Sequence, residues 1–261
     1  MSLQSSAIPD SSNLSNWFVC PQANPTAKTR LFFFPYAGAG PAVFSKWIVD
    51  LPTELEGLIA HFPGRGSRHN EPSINRLILL VEMLCQSIQP LLDRPFAFFG
   101  HSFGGLLAFE LTRTLRQNNL PQPTILFVSA CGAPHLPDPH APIHTLPDME
   151  FLEALQRLNG IPPELLKFPD VVGLLLPTLR ADFEAIEKYV HNPVELPLSC
   201  PIEAFGGLDD PRVSQEYLEG WALYTKAGFK SQYFPGDHFF INTARESIIA
   251  SIATEIRTSS V

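Results

Sequence analysis

Residues Phe96-Ala97-Phe98-Phe99-Gly100-His101-Ser102-Phe103-Gly104-Gly105-Leu106-Leu107-Ala108-Phe109 form the stretch that most restricts what this chain can fold into. An apolar, aromatic run ends at Gly100, and a helical apolar pattern begins just past Gly104. Between them stands Gly100-x-Ser102-x-Gly104, the spacing of a nucleophile elbow, in which a strand turns sharply into a helix. A serine that attacks a carbonyl must stand clear of such a turn on a strained backbone. Side chains two residues before and two after it would collide with each other and with neighbouring strands, so both positions call for glycine. The turn also places Ser102 at a helix start, where unpaired amides and the helix dipole favour negative charge. There the amide of Phe103 is the first candidate donor to a developing oxyanion. The alternative is a glycine-rich turn with a capping serine, and residues farther along the chain decide between the two.

Composition narrows the class. In 261 residues, 45% are hydrophobic and 17% charged, a globular balance with enough chain for one large α/β domain. No apolar run reaches the roughly 18 residues that span a bilayer. Met1 to Ser6 has neither a basic segment nor an apolar core, so a cytoplasmic protein is expected. A net charge of -8 without any Lys/Arg cluster argues against nucleic acid and membranes as partners. Cys20, Cys85, Cys131 and Cys200 are scattered, which reads as free thiols. No metal site is expected: the cysteines lack zinc-like spacing, and prolines separate His135, His140 and His144 in what reads as a solvated loop.

Taken in order, residues 1–27 are rich in Ser, Asn, Pro and Gln and are expected to lie loosely on the surface as a flexible segment. Leu31-Phe32-Phe33-Phe34 suits a strand buried on both faces. It ends in Pro35-Tyr36-Ala37-Gly38-Ala39-Gly40, a loop that admits close backbone approach, with a helix expected over 43–50. That loop fails the dinucleotide fingerprint, since Val43 stands where a third small residue is needed and no acid closes the next strand. Its other use is to lend a second amide to an oxyanion hole, with Ala37 the candidate and Tyr36 the neighbouring possibility. Further strands are expected at 58–62, 96–100, 124–129, 201–205 and 229–234, alternating with helices at 73–91, 105–117 and 214–224 and a final helix. That alternation means a mostly parallel sheet with helices on both faces. From Pro134 to Val190 the rhythm changes to a proline-rich loop and helices at 149–158, 171–176 and 177–189. The expectation is a core of 28–133 and 191–261 carrying a helical lid, 134–190, above the carboxyl ends of the strands. Most of its apolar residues are expected to pack on one another and on the sheet, and a minority to line an acyl channel.

A serine hydroxyl near neutral pH needs a base, and the base needs an orienting acid. On this kind of fold they follow in the order Ser, Asp or Glu, His, each after a strand. Asp210 and His238 meet that order. Asp209 competes for the acid's place, and Asp210 is preferred because Gly207-x-x-Asp210-x-x-Val213 puts it at the loop tip. His101 is set aside because an elbow directs consecutive side chains apart.

Together, Phe34-Pro35-Tyr36-Ala37-Gly38, Phe62-Pro63-Gly64-Arg65-Gly66-Ser67-Arg68, Gly100-His101-Ser102-Phe103-Gly104-Gly105, Gly207-Leu208-Asp209-Asp210-Pro211 and Phe234-Pro235-Gly236-Asp237-His238-Phe239-Phe240 make the chain resemble the type II thioesterases of non-ribosomal peptide and polyketide synthesis. One departure is Ala39, which separates Gly38 from Gly40 where the family usually has Gly-Gly. The resemblance implies an α/β-hydrolase fold. It also implies hydrolysis of acyl groups from the phosphopantetheine arm of acyl or peptidyl carrier protein domains, for editing of a stalled synthase or for product release. Catalysis would use Ser102, Asp210 and His238, with the amides of Ala37 and Phe103 as oxyanion hole, no metal and no cofactor beyond the arm on the partner. A monomer is expected. Arg65 and Arg68 are candidates for docking the carrier, or else for packing against nearby acids. The alternatives are a small-molecule esterase or acyltransferase on the same fold, and a carrier-binding protein without turnover.

Overall fold

Apolar residues alternate along the central strands and feed two separate cores. Phe32, Phe34, Phe98, Leu126, Val128, Ile202 and Ala204 face one side, and Leu31, Phe33, Ala97, Phe99, Phe127 and Phe205 face the other. Such period-two burial on both faces is what a sheet covered by helices requires. The structure, a computed structural model, describes residues 16–161, 164–193 and 195–259. Its strands are β1 (Phe18–Val19), β2 (Thr29–Phe34), β3 (Leu55–Ala60), β4 (Phe96–His101), β5 (Leu126–Ser129), β6 (Ile202–Gly207) and β7 (Phe229–Phe234). They form one sheet in the order β1-β3-β2-β4-β5-β6-β7, parallel throughout except where β1 runs against β3.

The helices are α1 (Ser45–Val49), α2 (Leu77–Ile88), α3 (Phe103–Gln117), α4 (Asp148–Arg157), α5 (Pro169–Glu187), α6 (Gln215–Glu219) and α7 (Arg245–Ser259). Leu80, Leu84 and Ile88 of α2 and Leu107, Leu111 and Leu115 of α3 join the first core. Trp47 and Ile48 of α1 and Ile248, Ile252 and Ile256 of α7 join the second. Burying each such side chain contributes about 1.5–3 kcal/mol relative to exposure, so these two layers dominate the fold's stability. This arrangement is that of an α/β-hydrolase.

Register sets the level of the site. Phe34 pairs with Gly100, His101 with Ser129, Ser129 with Phe205, and Gly207 with Phe234. The carboxyl ends of β2, β4, β5, β6 and β7 therefore open onto one edge, where ligands of such sheets bind.

Two expectations differ from the structure. Residues 1–15 of the segment expected to be loose lie outside the described residues, but Trp17 is buried beneath the Arg68 guanidinium, 4.6 Å from its ring centre. Phe18–Val19 then extends the sheet. An aromatic pair that can cover the edge of β3 outweighs the polar composition around it. The second difference lies in the insertion. The described part of 134–190 contributes no strand, and the two helices expected on either side of Pro177 are one, α5. Pro177 cannot donate to the carbonyl of Gly173, yet the helix continues because Leu179, Phe183 and Ala185 beyond it are buried. Phe151, Leu152, Leu155, Leu179 and Phe183 form a third apolar cluster between α4 and α5.

Candidate active site

Ser102 stands between β4 and α3 with φ 53° and ψ -117°, a conformation that a residue bearing a side chain rarely adopts. Its surroundings hold it there. The Ser102 amide donates to the Ser129 carbonyl at 2.7 Å, tying the turn to the next strand. A Cβ on Gly100 would lie 2.1 Å from the Gly104 carbonyl oxygen, and one on Gly104 would lie 1.9 Å from that of Phe34. Both glycines are thus required by backbone contacts, and the elbow rests directly on the end of β2.

The loops after β6 and β7 bring two more side chains to this point. Nε2 of His238 lies 3.0 Å from Oγ of Ser102, and Nδ1 of the same ring lies 2.9 Å from Oδ2 of Asp210. The Asp210 side chain is fully buried, and its Oδ1 accepts from the amides of Arg212 at 2.8 Å and Val213 at 3.3 Å. Burial alone would raise its pKa. Hydrogen bonding and charge attraction from His238, with the two amides, outweigh that and hold the carboxyl below its usual value. Asp209 is exposed, with its own amide donating to the Gly236 carbonyl. The hydrogen bond to His238 Nδ1 comes from Asp210 and not from Asp209. Between the two acids, Asp210 is the one against the imidazole.

His101 points away, as the elbow requires. It is fully buried, with Nδ1 2.9 Å from Oγ of Ser129 and its ring against Tyr36, Phe240 and His238. Burial, followed by the nearby His238, keeps its imidazole well below the ordinary histidine pKa. It is a neutral core residue beneath the site.

A cavity of about 620 Å³ opens at Ser102 and His238. Phe103, Leu106, Leu136, Ile186, Tyr189 and Val213 line it, with Arg212, Asp138 and Glu187 as charged members. Of the insertion's helical apolar residues, Ile186 reaches this cavity, while Phe151, Leu155, Leu179 and Phe183 pack in the third cluster. Phe103 is the first residue of α3, so its amide precedes the helical hydrogen-bond ladder. The Ala37 amide has no hydrogen-bond partner among the described residues, whereas those of Gly38 and Ala39 are occupied.

Arg65 and Arg68 do not form a docking patch. Arg65 is 5% exposed and donates to Asp182 from Nη1 and Nη2, at 2.7 and 2.8 Å. Arg68 is 6% exposed, bonds Glu71 twice and donates to the His61 carbonyl. Packing against acids, the other role the sequence allowed, is the one these residues have. Asp182 and Arg212 carry no local sequence signal. Asp182 lies 117 residues from its partner Arg65, and Arg212 reaches the cavity through a loop whose course the sequence does not give.

All four cysteines are free thiols, and burial pushes Cys131 and Cys200 up to about 12. No helix among the described residues is long and apolar enough to cross a membrane.

A family model described as a thioesterase domain matches residues 29–256. The gramicidin S biosynthesis protein GrsT of Aneurinibacillus migulanus is 41% identical over 246 residues, covering 94% of this chain and 96% of that protein. The linear gramicidin dehydrogenase LgrE of Brevibacillus parabrevis is 39% identical over 246 residues, with 93% of each covered. Among solved structures, the RedJ thioesterase from the prodiginine pathway of Streptomyces coelicolor superposes with a TM-score of 0.84 at 36% identity, covering 89% of this chain and 92% of that one.

Proposed function

Since the chain belongs to the thioesterase family, we propose that it is a type II thioesterase that frees carrier proteins of a peptide or polyketide synthase from acyl groups held on their phosphopantetheine arms. One observation carries this reading: His238 bridges Ser102 and Asp210 at hydrogen-bond distance, at the mouth of a cavity large enough for an acyl chain.

The chemistry follows from that bridge. His238 takes the Ser102 proton as Oγ attacks the thioester carbonyl. Asp210, kept ionised, fixes the ring with Nδ1 protonated and Nε2 free, and stabilises the imidazolium that forms. The amides of Phe103 and Ala37 receive the oxyanion; losing one such donor typically costs roughly 100- to 1,000-fold in rate. The tetrahedral adduct expels the pantetheine thiol, which takes a proton from His238, leaving an acyl-Ser102 ester. Water attacks this ester as His238 removes its proton, and on collapse of the adduct His238 returns that proton to Oγ of Ser102 as the acid departs. Each step uses side chains and amides of this chain, and the pantetheine arm comes with the substrate.

The dehydrogenase in LgrE's name has no support in the residues here. A pyrophosphate at the turn after β2 would need its amides, and the Gly38 amide already donates to the Asp182 carboxylate at 2.7 Å. The function is tested by comparing hydrolysis of acyl-carrier protein, acyl-pantetheine and a matched oxygen ester. Thioesters hydrolysed well ahead of the ester, with fluorophosphonate labelling confined to Ser102, support the proposal. A preference for the oxygen ester would make the chain an esterase, and absence of both labelling and turnover would leave a binding protein.

A further inference from the structure

The turn after β2 is held by the insertion. We infer that Asp182 of α5, together with Arg65, is a positioning residue for the oxyanion loop; the inference rests on the role given above to the Ala37 amide.

Backbone accounting shows how the turn is fixed. The Tyr36 carbonyl accepts from the Ala39 amide at 3.0 Å. The Gly38 amide donates to Oδ2 of Asp182 at 2.7 Å. The Ala39 carbonyl accepts from Nη1 of Arg65 at 3.3 Å. Each peptide plane from Tyr36-Ala37 to Ala39-Gly40 therefore has one group tied, and the Ala37 N–H is left without a partner among the described residues. Two of the ties come from side chains outside the turn, and those side chains hold each other.

The same helix also sets the shape of the turn. Gly38 has φ +77°, and a Cβ there would lie 2.3 Å from Cδ2 of Leu179, three residues before Asp182 on α5. This part of the insertion is seated on the loop rather than free to lift from it.

A carboxylate beside an oxyanion hole would by itself oppose the charge that develops there. Asp182 is fully buried, where an unpaired charge is costly, and Arg65 neutralises it with two parallel bonds. The pair thus supplies a rigid acceptor for the Gly38 amide without a net negative charge. Apolar residues of similar volume would fill the space equally well but would not orient the turn.

The test uses the full chain, an acyl-pantetheine thioester and two inhibitors of the same acyl length. A trifluoromethyl ketone adds Ser102 and forms an oxyanion, whereas a thioether binds without one. Asp182→Ala is expected to lower kcat about 10- to 100-fold through displacement of one donor, with KM changed less than about 3-fold. Ketone affinity should fall by the same factor as kcat while thioether affinity holds. Asp182→Asn, which retains an acceptor for Gly38, should fall between. Thr178→Val is the control for general loosening: Thr178 is buried one turn earlier on α5 and its hydroxyl bonds the Gly64 carbonyl at 2.6 Å and Ser73 at 3.1 Å rather than residues 36–40. It should leave the ratio of ketone to thioether affinity unchanged. The inference is overturned if Asp182→Ala keeps the wild-type ratio, or if Thr178→Val lowers it as much. Should the alanine variant not fold, an unchanged ratio in Asp182→Asn overturns it. Failure of the thioesterase reading is a different result: wild-type protein would not hydrolyse the acyl-pantetheine at all.

Discussion

Strain at Ser102 is the most local feature of the proposed site: its backbone at φ 53° is held by contacts that tolerate only glycine at 100 and 104. Gly104→Ala is expected to disrupt the elbow, with loss of hydrolysis and a lower melting temperature in calorimetry; the neighbouring carbonyl leaves no room for the methyl. At Asp210 the prediction concerns charge. Its folded pKa is depressed, so its contribution to stability is present above the unfolded value, near 3.9, and is lost as pH falls through the folded one. Asp210→Asn should cut kcat on the order of 1,000- to 10,000-fold, as in comparable triads. It should also flatten the acid limb of the urea-unfolding free energy as pH falls below the unfolded value of Asp210. Serine, histidine and acid were legible because each is announced by residues beside it: glycines around Ser102, and a strand end before Asp210 and His238. Asp182 was not legible. A carboxylate in an amphipathic helix reads as a solvated face, and only the folded chain brings it to Gly38.

At the scale of elements, strands and most helices could be read from apolar periodicity, while their ends and breaks depended on tertiary packing. Proline at 177 reads as a helix stop, and burial of the following turns overrides it. Strand β6 holds a further consequence. Glu203 is 4% exposed, Oε1 accepts from Ser251 at 3.2 Å, and Oε2 has no partner among the described residues. Burial, reinforced by Glu255, pushes its carboxyl up to about 7. Between 4.5 and that value the unfolded chain has released the proton while the folded chain keeps it, so stability falls as pH rises through this window. Glu203→Gln should therefore stabilise the protein at pH 8 by about 1–3 kcal/mol and have little effect near pH 4, measured by urea unfolding at both. An equal gain at the two pH values would mean that packing, not ionisation, sets the difference.

The whole molecule carries a net charge of -8, and its two most suggestive arginines are spent internally, Arg65 on Asp182 and Arg68 on Glu71. Reversing either charge should therefore unfold the protein rather than weaken carrier docking selectively. If the carrier is itself negatively charged, this net charge supplies no long-range attraction, and kcat/KM should stay level or rise modestly from about 0.05 to about 0.5 M salt for carrier-bound substrate. A small pantetheine thioester should show no trend. A steep fall with salt would reveal a basic docking surface. Alternation of strands and helices made the parallel sheet legible from sequence, but strand order and the cavity were not, because both depend on how distant loops meet. The proposed function depends on a Ser102 hydroxyl made reactive toward acyl thioesters. Mass spectrometry of an acylated carrier protein after incubation with wild-type and Ser102→Ala protein measures this most directly. The carrier should lose its acyl mass with the wild type and keep it with the variant; equal loss with both would rule out Ser102 as the nucleophile.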